Sequence, residues 1–313
     1  MRFPIRLIPL KTNLNFMRMK WLALGLSVFF IVATVVLVAT KGLNFGIDFT
    51  GGVVVEMRTK DVVDLGHMRE ALSKYPELGE VNIQYFGSDN DILLRIQPQD
   101  VADGEQLKAV NHLKEILGNE LKTEIEYRKV DYVGPQVGKE LVTSGVMALG
   151  LALLAMMAYI WFRFEWQFGL GGIFALFHDA MVTVGFFCIT GLEFNLTSIA
   201  AILTIIGYSI NDSVVIYDRI RENLRKFKKM PLEELINLSV NETLSRTILT
   251  SSTTIITLIA LVLLGGEVIK GFCLAMLFGI VVGTYSSIYI SAPVLVFINP
   301  RQKSPENAVA KPA

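Results

Sequence analysis

The chain has 313 residues, 52% of them hydrophobic, and a mean hydropathy of +0.49. Long uncharged apolar runs at this composition exclude an ordinary soluble globular protein and predict a membrane protein. The formal net charge is zero, but residues 41–140 carry 12 Lys/Arg and 18 Asp/Glu, whereas the rest of the chain carries 17 and 11. The two cysteines, Cys188 and Cys273, lie in apolar runs and fit neither a disulfide framework nor a metal site.

The first apolar run, residues 21–40, contains no charged residue and is bracketed by Lys20 and Lys41. At about 1.5 Å per residue it covers a hydrocarbon core of ~30 Å, and it is too long for the apolar part of a cleaved signal peptide. We therefore expect a retained signal anchor. Five further runs predict six transmembrane helices in total: residues 141–162, 168–190, 197–217, 247–265 and 271–298.

The basic residues beside the short loops predict the orientation of these helices. They cluster before the first span and after the second, fourth and sixth: Arg2, Arg6, Lys11, Arg18, Lys20, Arg163, Arg219, Arg221, Arg225, Lys226, Lys228, Lys229, Arg301 and Lys303. The short loops on the other side contain one basic residue, Lys270. We therefore expect both termini in the cytoplasm, and the following division: a cytoplasmic segment at 1–20, transmembrane helix 1 at 21–41, an external α+β domain at 42–140, transmembrane helices 2 to 6 at 141–298 and a cytoplasmic tail at 299–313.

The hydrophilic block alternates between strand-like and helical patterns. Strand-like segments and helical segments follow in the order βαββαβ: 53–58, 65–74, 81–86, 92–97, 105–117 and 123–132. We expect Gly118 to cap the end of the second helix. The order is typical of a small ferredoxin-like sandwich, so the predicted fold class is a six-helix polytopic membrane protein with a ferredoxin-like domain between helices 1 and 2.

The fourth span contains an ionisable residue, Asp212, about 8 Å of helix inside Tyr217 and flanked by Asn211 and Ser213. A charged side chain in the membrane costs about 2.5 kcal/mol or more, so its presence requires a reason. A carboxyl group at this depth is neutral when protonated and costly when ionised without a nearby cation, which is typical of a proton-carrying or cation-binding group. The alternative is a structural hydrogen bond between helices.

A counter-charge is available at the start of the fifth span. Arg246 reaches a depth comparable with Asp212 if that helix begins a turn or two earlier, within the polar amphipathic stretch at residues 231–243. Hydroxyl groups continue along the helix at helical spacing: Thr250, Thr253, Thr254 and Thr257. The alternative for Arg246 is an interfacial arginine that extends to water.

Two further features lie inside the membrane helices. His178 and Asp179 in the third span either support a proton relay or only bond hydroxyl groups on a neighbouring helix, and Gly279 and Gly283 form a GxxxG pattern that predicts close helix packing. No G-x-x-x-x-G-K-[ST], G-x-S-x-G or H-E-x-x-H motif occurs. We therefore predict no enzyme activity, no cofactor, no metal site and no nucleic-acid binding, and any energy must come from a partner or from an ion gradient.

Four motifs, in order and together with the helix count, resemble the SecF family of bacterial protein-export subunits. The likeness covers nearly the whole chain. The motifs are Gly46-Ile47-Asp48-Phe49-Thr50-Gly51-Gly52, Gly134-Pro135-Gln136-Val137-Gly138-Lys139-Glu140-Leu141, Phe177-His178-Asp179, and the segment from Asn211-Asp212-Ser213 to Arg221-Glu222-Asn223.

The resemblance implies a member of the resistance-nodulation-division superfamily in the bacterial cytoplasmic membrane, with the domain at 42–140 in the periplasm. It implies a SecD-like partner with six further helices, the SecY translocon with its accessory subunits downstream of the motor SecA, preprotein substrates and membrane lipid. In the family, the acid of the fourth span and the arginine that opens the fifth are implicated in proton flow, and they correspond to Asp212 and Arg246. The other motif residues are read as structural, the first four as a rigid turn at the membrane exit: Gly46, Asp48, Gly51, Gly52, Gly134 and Pro135.

Two other function classes stay open at this point. A proton-coupled small-molecule exporter of the same superfamily normally carries two large external domains in one long chain, whereas this chain has one. A non-conducting scaffold, in which Asp212 is structural, is distinguished by whether an Asp212→Asn protein still supports export.

Overall fold

A computed structural model describes residues 12–97, 106–121 and 124–303. The described chain divides into two compact units. The hydrophilic unit contains Phe45–Ala148 and Glu193–Leu196, and the helical unit contains Leu149–Leu192 and the described residues before Phe45 and after Leu196. Several predicted positions lie outside the described residues: Arg2, Arg6, Lys11, Glu105, Thr123 and the tail at 304–313.

The secondary structure follows the predicted order of one span, a βαββαβ domain and five further spans. In chain order the elements are α1 (Lys20–Thr40), α2 (Ile47–Thr50), β1 (Gly52–Thr59), α3 (Leu65–Leu72), β2 (Glu80–Phe86), β3 (Ser88–Gln97), α4 (Gln106–Leu121), β4 (Ile125–Val133), α5 (Pro135–Arg163), α6 (Trp166–Thr190), α7 (Leu196–Lys226), α8 (Leu232–Leu264), α9 (Glu267–Ser286) and α10 (Ala292–Ile298). A π-helical turn, Ser287–Ser291, joins α9 to α10. Within the part of the chain that the structure describes, six helical spans are long and apolar enough to cross a membrane, which confirms the predicted number.

Two membrane helices extend well beyond the predicted apolar runs. α7 has 31 residues and α8 has 33. Their lengths of about 46 and 50 Å exceed a hydrocarbon core of about 30 Å. Because α8 begins at Leu232, the polar stretch at 231–243 is the first part of the helix that carries Arg246.

Two asparagines one turn apart on α8 bind the segment that precedes α1. Asn241 accepts a hydrogen bond from the N–H of Leu14 and donates one to its carbonyl, both at 2.8 Å. Asn237 accepts the N–H of Phe16 at 2.8 Å. These side chains satisfy backbone groups that lie outside regular secondary structure, and they tie the segment around Leu14 and Phe16 to the polar part of α8.

The hydrophilic unit is built on a four-stranded antiparallel sheet in the order β2-β3-β1-β4. With α3 and α4 as the connections, this topology confirms the predicted ferredoxin-like domain. Alternate residues of the strands face one core, as shown by Val55, which lies opposite Leu94 on one side and Val130 on the other. That core also receives the apolar side of α3 and α4: Met68, Leu72, Leu113, Ile116 and Leu117.

The predicted helix cap at Gly118 is wrong. α4 continues to Leu121, which packs against the same core as the buried Leu113 and Leu117. A Cβ atom at Gly118 would have no neighbour within 4 Å, so the glycine lies on the open side of the helix. The apolar stripe that continues past Gly118 outweighs the cost of about 1 kcal/mol for glycine inside a helix.

The membrane helices are unequally buried. In the most apolar 18-residue stretch, 56% of residues are buried in α6 and 44% in α7, but 17% in α1 and in α8 and 6% in α5. α6 packs against α1 and α9, with Gly185 against Thr34 of α1. The described chain therefore leaves broad apolar surfaces on α1, α5 and α8.

Candidate functional site

Asp212 lies on the inward face of α7. Its exposed fraction is 5%, and Ser209 and Ser213 beside it are 1% exposed, whereas Asn211 points away from this face and is exposed. The carboxyl oxygen Oδ2 has no hydrogen-bond partner among the described residues. A buried oxygen without a partner costs about 1–3 kcal/mol. The carboxyl group of Asp212 therefore keeps an oxygen atom that no hydrogen bond to the described residues uses.

Arg246 of α8 is the cation whose charge acts on Asp212. Its side chain is exposed in the isolated chain, and no ion pair within 4.0 Å joins the two described side chains. The adjacent residue, Thr247, is buried, and its hydroxyl group lies beside the carboxyl group without completing a well-formed hydrogen bond. Asp212 thus presents a buried carboxyl group that can bind or release a proton, with the hydroxyl group of Thr247 beside it and a positive charge close by.

Most hydroxyl groups of the predicted stripe of α8 bond their own helix, but Thr254 also shares a hydrogen bond of 3.3 Å with Tyr208 of α7. Thr250 Oγ1 donates to the carbonyl groups of Arg246 at 3.1 Å and Thr247 at 2.9 Å. The later threonines also donate to backbone carbonyl groups of α8: Thr253, Thr254 and Thr257. Ser251 instead shares a hydrogen bond of 2.7 Å with Thr284 of α9. After Arg246, the hydroxyl groups of this helix that face inward or contact a neighbouring helix therefore include those of Thr247, Ser251 and Thr254, whereas Thr250 donates to carbonyl groups of α8.

A buried polar cluster, formed by His178, Asp179, Ser209 and Ser286, joins α6, α7 and α9. Asp179 is fully buried, and its Oδ2 accepts hydrogen bonds from Ser209 at 2.5 Å and from Ser286 at 2.7 Å. Its Oδ1 lies 2.9 Å from Nδ1 of His178, whose Nε2 is buried without a partner among the described residues. Asp179 therefore does bond hydroxyl groups on neighbouring helices, as the structural alternative to a proton relay predicts.

α9 packs closely against α7 at the two glycines of the GxxxG pattern. A Cβ atom on Gly279 would overlap with Ile205, and one on Gly283 would lie 3.1 Å from Cβ of Ser209. Small residues allow helix backbones to approach in this way. The approach brings Ser286, one turn after Gly283, into the buried polar cluster.

The motif after α1 forms a tight turn, residues 46–52, which we call the GG turn. It contains α2, followed by Gly51 and Gly52 with φ of 72° and 124°. Positive φ of this size favours glycine because it has no Cβ atom. Asp48 accepts a hydrogen bond of 3.0 Å from the backbone N–H of Leu196, the first residue of α7. Asp48, predicted as part of a rigid turn at the membrane exit, therefore also contacts the start of a membrane helix.

The motif before the second span begins α5. Gly134 immediately precedes this helix, whose first residue is Pro135. Proline is favourable there because the first N–H groups of a helix lack intrahelical partners in any case. One turn later, a Cβ atom on Gly138 would lie 3.3 Å from the Phe49 carbonyl oxygen and from the Gly51 nitrogen. The glycine thus allows α5 to begin against the GG turn.

Sequence reasoning missed a polar network at the other end of α7. Arg219 Nε donates to Glu242 Oε2 of α8 at 2.7 Å, and Asn223 Nδ2 donates to the same oxygen at 2.8 Å and to Ser239 Oγ at 3.0 Å. The sequence does contain a signal for this network. Arg219 and Asn223 are four residues apart and so share one face of α7, and the polar part of α8 carries Ser239 and Glu242 at similar helical spacing. The network fixes α7 against the part of α8 that precedes Arg246.

The chemistry that this arrangement supports is proton or cation binding by a carboxyl group. Within the part of the chain that the structure describes, no three His, Cys, Asp or Glu side chains converge on a possible metal position. Cys188 and Cys273 are free and buried. Asp212 is the acidic group that combines burial, an unpaired oxygen and a nearby arginine.

Comparison with known proteins places these features in a family. The model of the protein export membrane protein SecD/SecF C-terminal region matches residues 113–301, and that of the SecD/SecF GG motif matches residues 36–61. The protein translocase subunit SecF of Rickettsia bellii is 50% identical over 298 residues, which are 95% of this chain and 97% of that protein. The corresponding subunit of Rickettsia conorii is 49% identical over 95% of this chain and 96% of its own length. The chain belongs to the SecF family.

Solved structures have the same fold. The crystal structure of SecDF, a translocon-associated membrane protein from Thermus thermophilus, matches 95% of this chain with a TM-score of 0.83 at 37% identity. SecDF in a super-membrane-facing form matches 98% with a TM-score of 0.66 at 33% identity. This chain spans 40% and 41% of the length of those two chains. SecF family membership and six apolar helices make it a multi-pass membrane component of protein transport.

Proposed function

We propose that the chain is a SecF-type subunit that, with a SecD-like partner, uses the proton-motive force to assist preprotein export. Asp212 carries this proposal, because its carboxyl group is 5% exposed inside a membrane helix, keeps an unpaired oxygen and lies near an arginine without being ion-paired. The relatives named protein translocase subunit SecF support the transport role.

The proposed mechanism uses a proton to change the relative energies of two arrangements of α7 and α8. When Asp212 is ionised, approach to Arg246 is favourable because opposite charges attract strongly in a dry site. When Asp212 is protonated, it is neutral, and Arg246 turns to water or to another partner. Each proton bound or released therefore shifts the equilibrium between the two helix arrangements.

The membrane potential is large enough to drive such a shift. Moving one elementary charge through the field provides ~2.3 kcal/mol per 100 mV, which biases a two-state equilibrium about fiftyfold. Ser209 of the buried polar cluster lies one turn before Asp212 on α7, and it hydrogen-bonds α6 through Asp179. A displacement of α7 is therefore coupled to the helices around it.

The basic flanks support an orientation with both termini in the cytoplasm, the protein in a bacterial inner membrane and the sheet domain in the periplasm. Further partners in this proposal are the SecY translocon with its accessory subunits, preproteins and membrane lipid. The role requires no enzyme activity, no cofactor and no nucleic acid.

The substitution Asp212→Asn tests the proposal, because asparagine keeps the volume and hydrogen bonding of the side chain but does not titrate. We expect gradient-stimulated preprotein export, measured in inverted vesicles, to fall to the level seen with an uncoupler. Assembly and ATP-driven export should continue. Asp212→Glu should retain part of the activity, and Arg246→Met should resemble the asparagine variant.

The matched control is Asp218→Asn on the same helix. Asp218 is exposed and forms an ion pair with Arg163 at 3.0 Å, so its replacement should leave the gradient response unchanged. If vesicles with Asp212→Asn respond to the gradient as the parent does, Asp212 is structural. The chain is then a scaffold of the export machinery and not its proton-coupled subunit.

A further inference from the structure

The loop between α6 and α7 is bound to the hydrophilic unit by main-chain and ring contacts. The Gly46 N–H donates to the Phe194 carbonyl at 2.9 Å, and Phe45 forms an isolated parallel bridge with Phe194. The rings of Phe45, Phe49 and Phe194 pack with their centroids 5.9 to 6.1 Å apart. As a result, Glu193–Leu196 belongs to the same compact unit as the sheet.

A charged contact adds to this attachment. Arg95 of β3 forms an ion pair with Glu193, and the two side chains are 11% and 30% exposed. Burial raises the pKa of Glu193, and the positive charge of Arg95 opposes that rise. A Cβ atom on Gly46 would overlap with the Glu193 carboxylate. The pair is thus closely packed, and water screens it less than it screens an ordinary surface ion pair.

Asp48 contacts the membrane helix itself. Its Oδ2 accepts the N–H of Leu196 at 3.0 Å, across 148 positions of sequence. The first N–H groups of a helix lack intrahelical acceptors and lie at the positive end of the helix dipole, so a carboxylate is a favourable acceptor there. α7 has no acidic residue in its own first turn. The GG turn therefore supplies a negatively charged acceptor that α7 does not provide for itself.

We propose that Asp48 is a positioning residue which, with the Arg95–Glu193 pair, fixes the first turn of α7 to the hydrophilic unit, so that this unit and the Asp212 helix move together. Asp212 lies about 24 Å further along the same continuous helix. A helix passes translation and rotation along its axis because hydrogen bonds link its successive turns. This inference rests on the proposed coupling role of Asp212.

Hydrogen–deuterium exchange on the full chain, assembled with its SecD-like partner, tests the contact without any transport measurement. Asp48→Ala should accelerate amide exchange in residues 196–199 about fivefold, because a helix-terminal N–H loses its acceptor. Asp48→Asn keeps an acceptor oxygen and should stay within about twofold of the parent. Asp61→Ala, which replaces an exposed aspartate of the same unit, is the control and should change nothing at 196–199. Unchanged exchange in Asp48→Ala overturns the positioning role.

Exchange of the two charges tests the ion pair. Arg95→Glu and Glu193→Arg each place like charges in contact, and each should lower gradient-stimulated export severalfold. The double variant restores opposite charges and should recover most of that export. Recovery also shows that the single variants failed through charge and not through misfolding. A folded double variant that exports no better than the single variants overturns the role of the pair.

The outcomes separate this inference from the proposed function. Asp48→Ala should lower gradient-stimulated export and leave ATP-driven export unchanged, and Asp48→Asn should restore the gradient response. If Asp48→Ala exchanges faster but exports as the parent does, the attachment does not transmit motion, so the inference fails while the proposed function stands. If Asp212→Asn responds to the gradient like the parent, the proposed function fails, and the coupling inference fails with it.

Discussion

At the scale of single residues, two buried aspartates on neighbouring helices have opposite hydrogen-bonding environments. Asp179 accepts hydrogen bonds from Ser209 and Ser286, whereas Asp212 keeps Oδ2 without a partner among the described residues. Breaking the contacts of Asp179 would leave buried polar groups unsatisfied at about 1–3 kcal/mol each. Asp179 is therefore suited to holding three helices in register, and Asp212 is suited to changing its partner.

Asp91 should make the stability of the hydrophilic unit depend on pH. Arg58 donates to both carboxylate oxygens of Asp91 at 2.6 Å, and Ser88 donates to one of them at 2.8 Å. These hydrogen bonds, above all those from Arg58, lower the pKa of Asp91 to about 2. The stabilisation is present above the ordinary pKa of 3.8 and is lost as the pH falls towards 2. Asp91→Asn should lower the free energy of unfolding by about 1–2 kcal/mol at neutral pH, because the partly exposed Arg58 is screened by water.

Urea unfolding of the full chain, monitored by hydrogen exchange of the β1 and β3 amides, measures the free energy of unfolding of this unit. The difference in that free energy between parent and variant is determined across pH. The difference should shrink below about pH 4 and disappear only as the pH falls below the folded-state pKa of about 2. Asp89→Asn replaces an exposed neighbour on the same strand and should behave like the parent at every pH. A difference for Asp91→Asn that stays constant down to pH 2 contradicts the assignment.

Sequence reasoning singled out Asp212 because an ionisable side chain stands out in an apolar run. It did not predict the direction of the α8 hydroxyl groups. The spacing of Thr250 fits an inward stripe, but a helical threonine also bonds the carbonyl group one turn earlier. The inward residues Thr247 and Ser251 share a side of the helix with Thr254, the predicted threonine that contacts Tyr208 of α7. The rotation of α8 about its axis is set by packing against other helices, which the pattern of one helix does not contain.

At the scale of elements, the packing of α9 on α7 depends on Gly279. Gly279→Val should place methyl groups in the space of Ile205 and lower the stability of the purified complex by about 1–3 kcal/mol, measured by thermal unfolding. Adding Ile205→Ala makes room and should recover part of the loss.

Gly150→Ala on α5 is the matched control for this substitution. A Cβ atom there has no neighbour within 4 Å, so stability should be unchanged or slightly higher, since alanine favours helix more than glycine does. If Gly279→Val proves as stable as Gly150→Ala, the close approach of α9 to α7 is not needed in the assembled protein.

The elements themselves were largely predictable, but their ends were not. Alternating apolar residues located the strands, because one face of the sheet must cover α3 and α4. The apolar runs located the membrane helices, yet hydropathy marks where the hydrocarbon core ends and not where the helix ends. α7 and α8 therefore continue past the predicted runs as polar helices held by contacts such as Arg219 to Glu242.

At the scale of the whole molecule, α1, α5 and α8 expose broad apolar surfaces that the other described helices of this chain do not cover. The SecDF chains that share the fold are longer, and this chain spans 40% of the first of them. These surfaces and the exposed Arg246 are therefore consistent with the proposed SecD-like partner.

Cysteine labelling tests the orientation of the whole molecule. A cysteine in place of Ser88, which is exposed in the hydrophilic unit, should react with a membrane-impermeant thiol reagent added from outside. A cysteine in place of Ser304, which lies beyond the described residues, should react only after the membrane is opened. The native Cys188 and Cys273 are buried and give a low background. The opposite labelling pattern would contradict the proposed topology.

The π-helical turn at Ser287–Ser291 changes the direction in which side chains point along the sixth span, so that the faces of α9 and α10 are offset about the helix axis. A π turn accommodates one additional residue, so everything after it is rotated by about 100° relative to an uninterrupted α-helix. In this phase Ser291 donates to Tyr217 Oη at 2.8 Å, and Pro293 and Leu295 are buried. Deletion of one residue within the turn would therefore leave a regular α-helix in which α10 keeps its present phase, whereas straightening the turn with all of its residues kept would rotate α10 by about 100°. The straightened turn, and not the deletion, would move the buried side of α10 away from Tyr217 and towards lipid.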